Sequence, residues 1–306
     1  MGKIAFVFSG QGAQRSGMGK SFYDNSPAAK ALYDAAEQYR GGTIKQSFEG
    51  SDEELRDTKN TQPCLYLADL AAAKVLNEHG IYADGVAGFS LGEIPALAYA
   101  GAYSDSDGFM IASKRGICMA EAASAAETAM CAVLKLDASV VEATAAEFEG
   151  LYAVNYNAPG QTAVSGLKSS MGDFEKKVAE LGGRCVPLAV SAAFHSPFME
   201  EASKKFGKEL RDFEFSAPKI PVYSNQTAQP YDDKIAERLE TQMKNPVLWR
   251  DTIENMIADG YTDFIEVGIG KTLCGLIKKT SKEVGIYSAE DYDTLLKTVK
   301  EIDENA

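Results

Sequence analysis

The sequence predicts an α/β fold, in which a mainly parallel sheet carries helices on both faces and is interrupted by a smaller inserted module. Short, wholly apolar runs such as residues 4–8 are typical of strands that are buried on both faces. Helix signals follow these runs directly, and this alternation favours a parallel sheet. Between residues 127 and 190 the order becomes strand, helix, two strands, helix and strand, a βαββαβ unit that can close its own core. We therefore expect a large domain of residues 1–126 and 191–306, with 127–190 inserted as a second domain.

Capping signals place the helices in the first part of the chain. Ser26 and Pro27 form an N-cap pair, and Ser51 with Glu54 forms a capping box. Proline is tolerated at a helix start, so Pro63 is expected to begin the next long helix. The predicted strands are 4–8 and 85–87. The predicted helices are 27–39, a short helix that starts at 51, 63–79, a helix from the second strand to about 100, and a helix from 104 to about 125.

The same periodicities predict the rest of the chain. In the inserted module they give strands 130–136, 151–156, 162–166 and 184–190 and helices 138–148 and 169–181. After it they give strands 220–224 and 263–267, helices 234–243 and 248–258, and helices at Thr272 and Tyr292. This return to alternating strands and helices continues the parallel sheet of the large domain.

The charge of the chain argues against a nucleic-acid partner. Its 306 residues contain 31 Lys and Arg against 44 Asp and Glu, which gives a formal net charge of −13 at pH 7. Nucleic-acid binding needs a clustered Lys/Arg surface, and this composition has no such surplus. The apolar run at 4–8 is too short for a signal sequence or a membrane span, and no later run is long enough. We expect a cytoplasmic protein with no nucleic-acid or membrane partner.

The cysteines indicate neither disulfides nor a metal site. Their number, five, is odd, and none is spaced as a CxxC pair. We expect reduced, mostly buried thiols and no metal. The five are Cys64, Cys118, Cys131, Cys185 and Cys274.

Residues 88–92, Gly-Phe-Ser-Leu-Gly, match the G-x-S-x-G pattern of a nucleophile elbow. The pattern alone is weak, since about 0.2 matches per chain are expected by chance at ordinary glycine and serine frequencies. Here an apolar strand precedes it and a helix follows, which is the context that the elbow requires. The alternative is a glycine-rich connecting turn. The pattern predicts that Ser90 is exposed on a strained turn as a nucleophile.

A serine nucleophile needs a base, most often a histidine, and the chain has two. His79 lies at the end of a predicted helix, where imidazoles commonly cap. His195 lies where the inserted module rejoins the large domain and where a cleft would form. Any serine–histidine catalysis therefore uses His195. The acids from Glu142 to Glu180 lie mostly on helices of the module, and none of them sits in a turn that resembles a triad acid loop. A dyad oriented by an amide or backbone carbonyl is therefore more plausible than a hydrolase triad.

Two further features bear on the site. Arg115 is either a solvated surface residue or a bidentate clamp for a substrate carboxylate, and spacing alone does not decide. The glycine turn at 10–14 matches neither phosphate-binding pattern. Arg15 stands where the dinucleotide-binding pattern needs its third glycine, and Gln14 stands where a Walker loop needs glycine. Its N–H groups could instead complete an oxyanion hole beside the elbow.

Seven blocks in order resemble the malonyl-CoA:acyl-carrier-protein transacylases, and the match covers essentially the whole chain. They are FVFSGQGAQ (6–14), GFSLGE (88–93), KRG (114–116), VNYNAPGQ (154–161), AFHSP (193–197), QMKNPVLW (242–249) and EVGIGK (266–271). The resemblance implies an α/β-hydrolase-like large domain with an inserted ferredoxin-like small domain. It also implies ping-pong transfer of malonyl from malonyl-CoA to the phosphopantetheine thiol of an acyl carrier protein, without a metal or a redox cofactor.

The resemblance implies the catalytic roles residue by residue. Ser90 would be the nucleophile and His195 its general base, with the backbone carbonyl of Gln242 orienting the imidazole. The backbone N–H groups of Gln11 and Leu91 would form the oxyanion hole.

It likewise implies the substrate contacts. Arg115 would hold the malonyl carboxylate, and Asn157 and Gln161 would lie near the substrate at the domain boundary. Leu91 after the serine and Phe194 before the histidine resemble the versions that prefer malonyl over methylmalonyl.

Carrier docking is predicted at basic residues, because a carrier protein is usually acidic and a chain at −13 would repel it. By resemblance the carrier docks near the rim between the domains, where Arg184, Lys278 and Lys279 are expected.

The chain departs from the family pattern at three positions. Phe89 stands where histidine is usual, and Ile269 replaces the usual proline. The third is Pro95, which falls in the first turns of the helix after the elbow, where it cannot donate its backbone hydrogen bond and is expected to distort the helix locally. The AFHSP block is closer to polyketide-synthase acyltransferase domains, so fatty-acid and polyketide pathways both stay open. Two rival functions are a serine thioesterase or esterase that releases free acid, and a binding module that forms no acyl-serine.

Overall fold

A five-stranded parallel sheet organises the larger part of the chain in this computed structural model, which describes residues 2–123, 126–188, 190 and 192–305. The strands are β1 (Lys3–Phe8), β2 (Gly85–Gly88), β7 (Val222–Tyr223), β8 (Tyr261–Val267) and β9 (Gly285–Ala289). Their order is β7-β2-β1-β8-β9, and every neighbouring pair is parallel. The central strand β1 is buried from Ile4 onward, as its apolar run predicts. The predicted parallel sheet is confirmed, and β9 is an addition to it.

Helices pack on both faces of this sheet. Ser26 caps α2 by accepting the Ala29 N–H at 3.0 Å, and Ser51 caps α4 through the Glu54 N–H at 3.1 Å. The helices are α1 (Lys20–Asn25), α2 (Pro27–Tyr39), α3 (Thr43–Glu49), α4 (Asp52–Arg56), α5 (Thr58–Glu78), α6 (Glu93–Tyr99), α7 (Asp105–Ala123), α10 (Glu200–Glu209), α11 (Ile235–Gln242), α12 (Trp249–Ala258), α13 (Thr272–Thr280) and α14 (Tyr292–Asn305). The end predicted for α7 near Ala125 lies outside the described residues.

Helix α5 begins earlier than predicted. Asp57 caps it by accepting the Lys59 N–H at 3.2 Å, so that Pro63 lies inside the helix and not at its start. Proline at that position lacks the N–H that would donate to the Lys59 carbonyl, and its ring crowds that carbonyl. The prediction was wrong because the residues that follow the Asp57 cap, including Thr58 and Thr61, are buried in the core, and this tertiary packing offsets the cost of a proline inside the helix.

The inserted module forms a separate antiparallel sheet of order β4-β5-β3-β6. Its elements are β3 (Thr128–Leu134), α8 (Ala138–Ala146), β4 (Leu151–Ala158), β5 (Gln161–Leu167), α9 (Lys168–Glu180) and β6 (Arg184–Pro187). It has its own apolar core, which includes Val133, Val141 and Phe174. The βαββαβ order is therefore confirmed. The last strand is shorter than predicted, and Ala189 and Ser191, where the module was predicted to end, lie outside the described residues.

The two sheets meet beside a cavity. Strand β4 bonds to the segment before α12, with Tyr156 N–H donating to the Val247 carbonyl at 2.9 Å and Val247 N–H donating to the Val154 carbonyl at 2.8 Å. The adjoining cavity has a volume of about 630 Å³ and is lined from both sheets. Among the described helices, none combines the length and apolarity needed to cross a bilayer.

Candidate active site

The turn after β2 holds Ser90 in a left-handed backbone conformation, with φ of 53°. Such a conformation costs a non-glycine residue roughly 1–2 kcal/mol. Glycines flank it because of close approach: a Cβ on Gly88 would lie 1.9 Å from the Gly92 carbonyl carbon, and one on Gly92 would lie 2.3 Å from the Phe8 carbonyl oxygen. The Gly-x-Ser-x-Gly spacing thus follows from a turn packed against β1, with α6 directly after it.

Ser90 and His195 are in hydrogen-bond contact. The distance from Ser90 Oγ to His195 Nε2 is 2.7 Å. On the other side of the ring, Nδ1 lies 3.0 Å from the Gln242 carbonyl oxygen and 3.2 Å from that of Asn245. Carbonyls only accept, so Nδ1 carries the proton and Nε2 presents its lone pair to the serine hydroxyl. The arrangement is a dyad whose imidazole is oriented by the backbone.

Burial keeps this imidazole neutral. His195 is 3% exposed, and burial together with the nearby charge of Arg115 lowers its pKa to about 4. The two carbonyl contacts act in the opposite direction and do not overcome these effects. Since the ring is unprotonated at neutral pH, Nε2 can accept the Ser90 proton.

Arg115, on α7, is not a surface residue: it is 1% exposed and lines the cavity. Nη2 donates to Gln242 Oε1 at 2.7 Å and to Ser90 Oγ at 3.2 Å, and Nη1 donates to Gln62 Oε1 at 3.1 Å. Burial lowers its pKa to about 10, so the guanidinium is charged at neutral pH. These three hydrogen-bond partners are neutral, while the nearby charge of Glu93 favours the charged form of the guanidinium. The buried cation can therefore attract an anionic ligand beside Ser90.

Gln242 connects the whole site. Besides its carbonyl contact to His195, its side-chain Nε2 donates to the Ser90 carbonyl at 2.7 Å and to the Glu93 carboxylate, while Oε1 accepts from Arg115. Sequence reasoning identified only the carbonyl. Glu93 is fully buried, and burial raises its pKa to about 7. Glu93 on α6 and Gln62 on α5 are polar residues in helices whose other buried positions are mostly apolar. That pattern could have indicated from the sequence that both side chains belong to the site.

The cavity gathers most of the predicted site residues. Besides Ser90 and Arg115, its lining includes Gln11, Asn157, Gln161, Phe194 and His195. Asn155, which sequence reasoning missed, lines it as well, and its spacing of two from Asn157 on β4 is the pattern that could have indicated it. Leu91 is fully buried beside Ser90, and its side chain is not part of the lining.

The glycine turn after β1 lies against the elbow. A Cβ on Gly10 would be 2.7 Å from the Phe89 carbonyl oxygen, so the backbone of Gln11 follows directly beside Ser90. The Gln11 side chain is held by a 3.0 Å hydrogen bond from Nε2 to Thr58 Oγ1. Gly10, Gln11 and Ser90 all line the cavity, so the glycine turn and the elbow both contribute to its wall.

Phe89, at the first departure from the family pattern, packs its ring edge-on against Trp249 with centroids 5.5 Å apart. It also lines the cavity. The position therefore contributes apolar packing beside the nucleophile. Ile269, the second departure, is 1% exposed in the core.

The basic residues predicted to dock a carrier divide into two groups. Lys279 Nζ donates to Gln161 Oε1 at 2.7 Å. Gln161 is opposite Leu134, which is opposite Arg184 on the next strand. Leu134 shares a face of β3 with Ala132, which lines the cavity, and directly opposed residues share a face. Lys279 and Arg184 are thus on the side of the sheet that faces the cavity.

Lys278 lies elsewhere. It lines a second cavity of about 370 Å³ between α13, β9 and α14, together with Lys271 and Lys297. Neighbouring residues on a helix point about 100° apart, which separates Lys278 from Lys279.

Comparison with known proteins gives a consistent result. An acyl transferase domain model matches residues 5–301. The chain is 39% identical to the malonyl CoA-acyl carrier protein transacylase of Bacillus subtilis, with all of both chains covered. The transacylase crystal structure from Clostridium perfringens superposes with a TM-score of 0.95 at 35% identity, covering 99% of this chain and 98% of that one. A complex of a type II polyketide-synthase acyl carrier protein with its malonyl-transacylase superposes with a TM-score of 0.93 at 30% identity, covering 98% and 99%.

Proposed function

The chain belongs to the acyl transferase family, among the malonyl-CoA:acyl-carrier-protein transacylases, and we propose that it passes malonyl from CoA to the carrier thiol through an ester on Ser90. One observation supports the site assignment: in one cavity, Ser90 Oγ lies 2.7 Å from His195 Nε2 and 3.2 Å from Arg115 Nη2. This geometry combines an activated hydroxyl with a cation for the carboxylate end of malonyl.

In the first half-reaction His195 Nε2 takes the Ser90 proton while Oγ forms a bond to the thioester carbonyl carbon. The Gln11 and Leu91 N–H groups stabilise the resulting oxyanion. The carbon–sulfur bond then breaks, and the CoA sulfur leaves with the proton from the imidazolium. Malonyl remains as an ester on Ser90.

The second half-reaction reverses these steps with a new thiol. The phosphopantetheine thiol of the carrier gives its proton to His195 and attacks the ester carbon. Ser90 Oγ leaves and takes the proton back, so the free enzyme is regenerated. Each half-reaction exchanges thioester and ester, and the protons balance within the dyad.

Arg115 links substrate binding to base strength. Its charge is one cause of the low pKa of His195. A malonyl carboxylate paired with the guanidinium would offset that charge, and the imidazole would then accept the serine proton more readily. Asn157 and Gln161 would contact the rest of the substrate, and Leu91 and Phe194 would limit branching next to the carbonyl.

The experiment that tests this function is incubation with malonyl-CoA, with and without a holo acyl carrier protein. A transacylase accumulates a malonyl-enzyme without the carrier and yields malonyl-carrier with it. If free malonate forms without a carrier at a rate comparable to that of transfer to the carrier, the protein is a thioesterase. If no acyl-enzyme forms at all, it is a binding module. The apo carrier, which lacks the thiol, is the matched control.

Cellular context follows from this function as part of the proposal. Supply of malonyl-carrier serves fatty-acid biosynthesis, with polyketide synthesis as the alternative, and CoA and carrier substrates suit a cytoplasmic location. Residues 1–126 with 191–306, and 127–190, are proposed as the two domains that enclose the cavity.

The carrier is proposed to dock beside Lys279 and Arg184. Lys279→Glu is expected to lower kcat/KM for the carrier about tenfold, because the reversed charge repels an acidic partner, while malonyl loading changes less than about threefold. Steady-state transfer at several carrier concentrations measures this, and added salt should slow wild type in the same direction.

Lys278→Glu is the matched control, since it makes the same charge change on the neighbouring residue facing the other cavity. A tenfold loss in Lys278→Glu with normal carrier kinetics in Lys279→Glu would move the docking surface to the second cavity. Normal kinetics in both variants would place it on neither.

A further inference from the structure

Asn225 has no role in the steps above, yet its side chain bridges the strained turn. Asn225 follows β7 and is fully buried. Its Nδ2 donates to the Gly88 carbonyl at 2.6 Å, and its Oδ1 accepts the Ser90 N–H at 2.7 Å. One amide group therefore closes hydrogen bonds on both sides of Phe89, across the peptide units that lead into the nucleophile.

The backbone of Asn225 is itself fixed from two directions. Its N–H donates to Glu93 Oε1 at 2.6 Å, and its carbonyl accepts the Leu248 N–H at 2.8 Å. Glu93 also accepts from the Gln242 side chain, which contacts Arg115. The Asn225 backbone, which positions its side-chain amide, therefore belongs to the same hydrogen-bond network as Glu93, Gln242 and Arg115.

This bridge bears directly on the position of Ser90 Oγ. The left-handed conformation of Ser90 persists only if surrounding contacts offset its strain. If the bridge is lost, the turn can relax and Oγ moves away from His195 Nε2. The contact also occupies the Ser90 N–H, which leaves the Leu91 N–H as the donor that the elbow can offer to an oxyanion.

We propose that Asn225 is a positioning residue, which holds the turn at residues 88–90 so that Ser90 Oγ stays within reach of His195 and the Leu91 N–H faces the oxyanion. The inference rests on the proposed role of Ser90. Asn225 touches neither substrate nor the reacting atoms and acts through the backbone.

The test is the rate of malonyl-enzyme formation in Asn225→Ala, followed by intact mass over a range of malonyl-CoA concentrations. A displacement of about 1 Å can cost on the order of 100-fold in rate, so the maximal loading rate is expected to fall about 100-fold. The half-saturating concentration should change less than about threefold, because the substrate contacts stay in place. Asn225→Asp keeps an acceptor for the Ser90 N–H and is expected to lose only about tenfold.

Asn255→Ala is the matched control. It removes another side-chain bond to a backbone carbonyl, 2.8 Å from Asn255 Nδ2 to Ala228 O, away from the reacting atoms. Because Asn255 is only partly buried and loses one hydrogen bond, a smaller fall in melting temperature is expected, with a loading rate within threefold of wild type. Equal rate losses in the Asn225→Ala and Asn255→Ala variants would overturn the proposal, as would near-normal loading by a folded Asn225 variant.

Two further readouts complete the test. In the unmodified protein, the Ser90 amide proton should exchange slowly with solvent by NMR, and fast exchange would contradict the bridge even if no variant folds. Malonyl labelling that persists in Ser90→Ala would refute Ser90 as the nucleophile, the assignment on which this inference rests. Labelling at Ser90 with normal rates in the Asn225 variants would refute only the role of Asn225.

Discussion

Replacing Ser90 by alanine is expected to abolish the malonyl adduct and to lower transfer to the carrier by about 10⁴-fold or more. The adduct needs the hydroxyl oxygen, and Ser90 Oγ is the nucleophile that lies in hydrogen-bond contact with His195 Nε2. The magnitude follows the effect of removing the nucleophile in other serine enzymes. Intact mass after incubation with malonyl-CoA, followed by peptide mapping of the labelled residue, measures it.

His195→Ala serves as the companion control for Ser90→Ala. It keeps the hydroxyl but removes the base, so the adduct should form slowly and at the same residue. A malonyl label on a cysteine or lysine of the wild-type protein, at the rate of transfer, would refute Ser90 as the nucleophile.

Replacing Arg115 by alanine is expected to lower kcat/KM for malonyl-CoA by about 10³-fold and to leave acetyl-CoA within about tenfold. The difference arises because only malonyl brings a carboxylate, and an unpaired buried carboxylate costs several kcal/mol. Steady-state kinetics with both thioesters measures the ratio. Arg115→Lys should recover part of it, since an ammonium keeps the charge without the planar fork.

Gln62→Ala is the matched control for Arg115. It removes the 3.1 Å contact to Nη1 but leaves the charge, so both substrates should lose activity by similar factors. If Arg115→Ala lowers malonyl and acetyl transfer equally, Arg115 holds the dyad in place and is not the carboxylate clamp.

Local sequence was sufficient to predict the main strands, the helix starts and the serine turn. The apolar run of β1, the capping serines Ser26 and Ser51, and the strand-Gly-x-Ser-x-Gly-helix order each depend on residues within a few positions of one another. Such short-range patterns determine strands, helix starts and the elbow. The βαββαβ rhythm likewise predicted the second sheet. Scarcity of histidine singled out His195 without any knowledge of contacts.

Other elements depended on packing that no short pattern encodes. Strand β9 has one fully buried residue, Ala289, and no apolar run, so it becomes a strand only because β8 offers a paired edge. Helix α5 begins at Thr58, ahead of Pro63, because the cap at Asp57 is followed by residues that bury themselves in the core. In both cases, packing against distant parts of the chain determines whether a strand forms or where a helix begins, because local propensity alone does not.

The site shows the same division most clearly. Sequence singled out Ser90, His195 and Arg115 as candidate site residues, and left open whether the arginine is exposed. Only the tertiary structure decided that Arg115 is buried 3.2 Å from Ser90 Oγ and that the side chain of Gln242 reaches across 152 positions to the Ser90 carbonyl. The physical reason is that reactivity is a property of residue type and local turn, whereas burial and orientation are set by elements far apart in the chain.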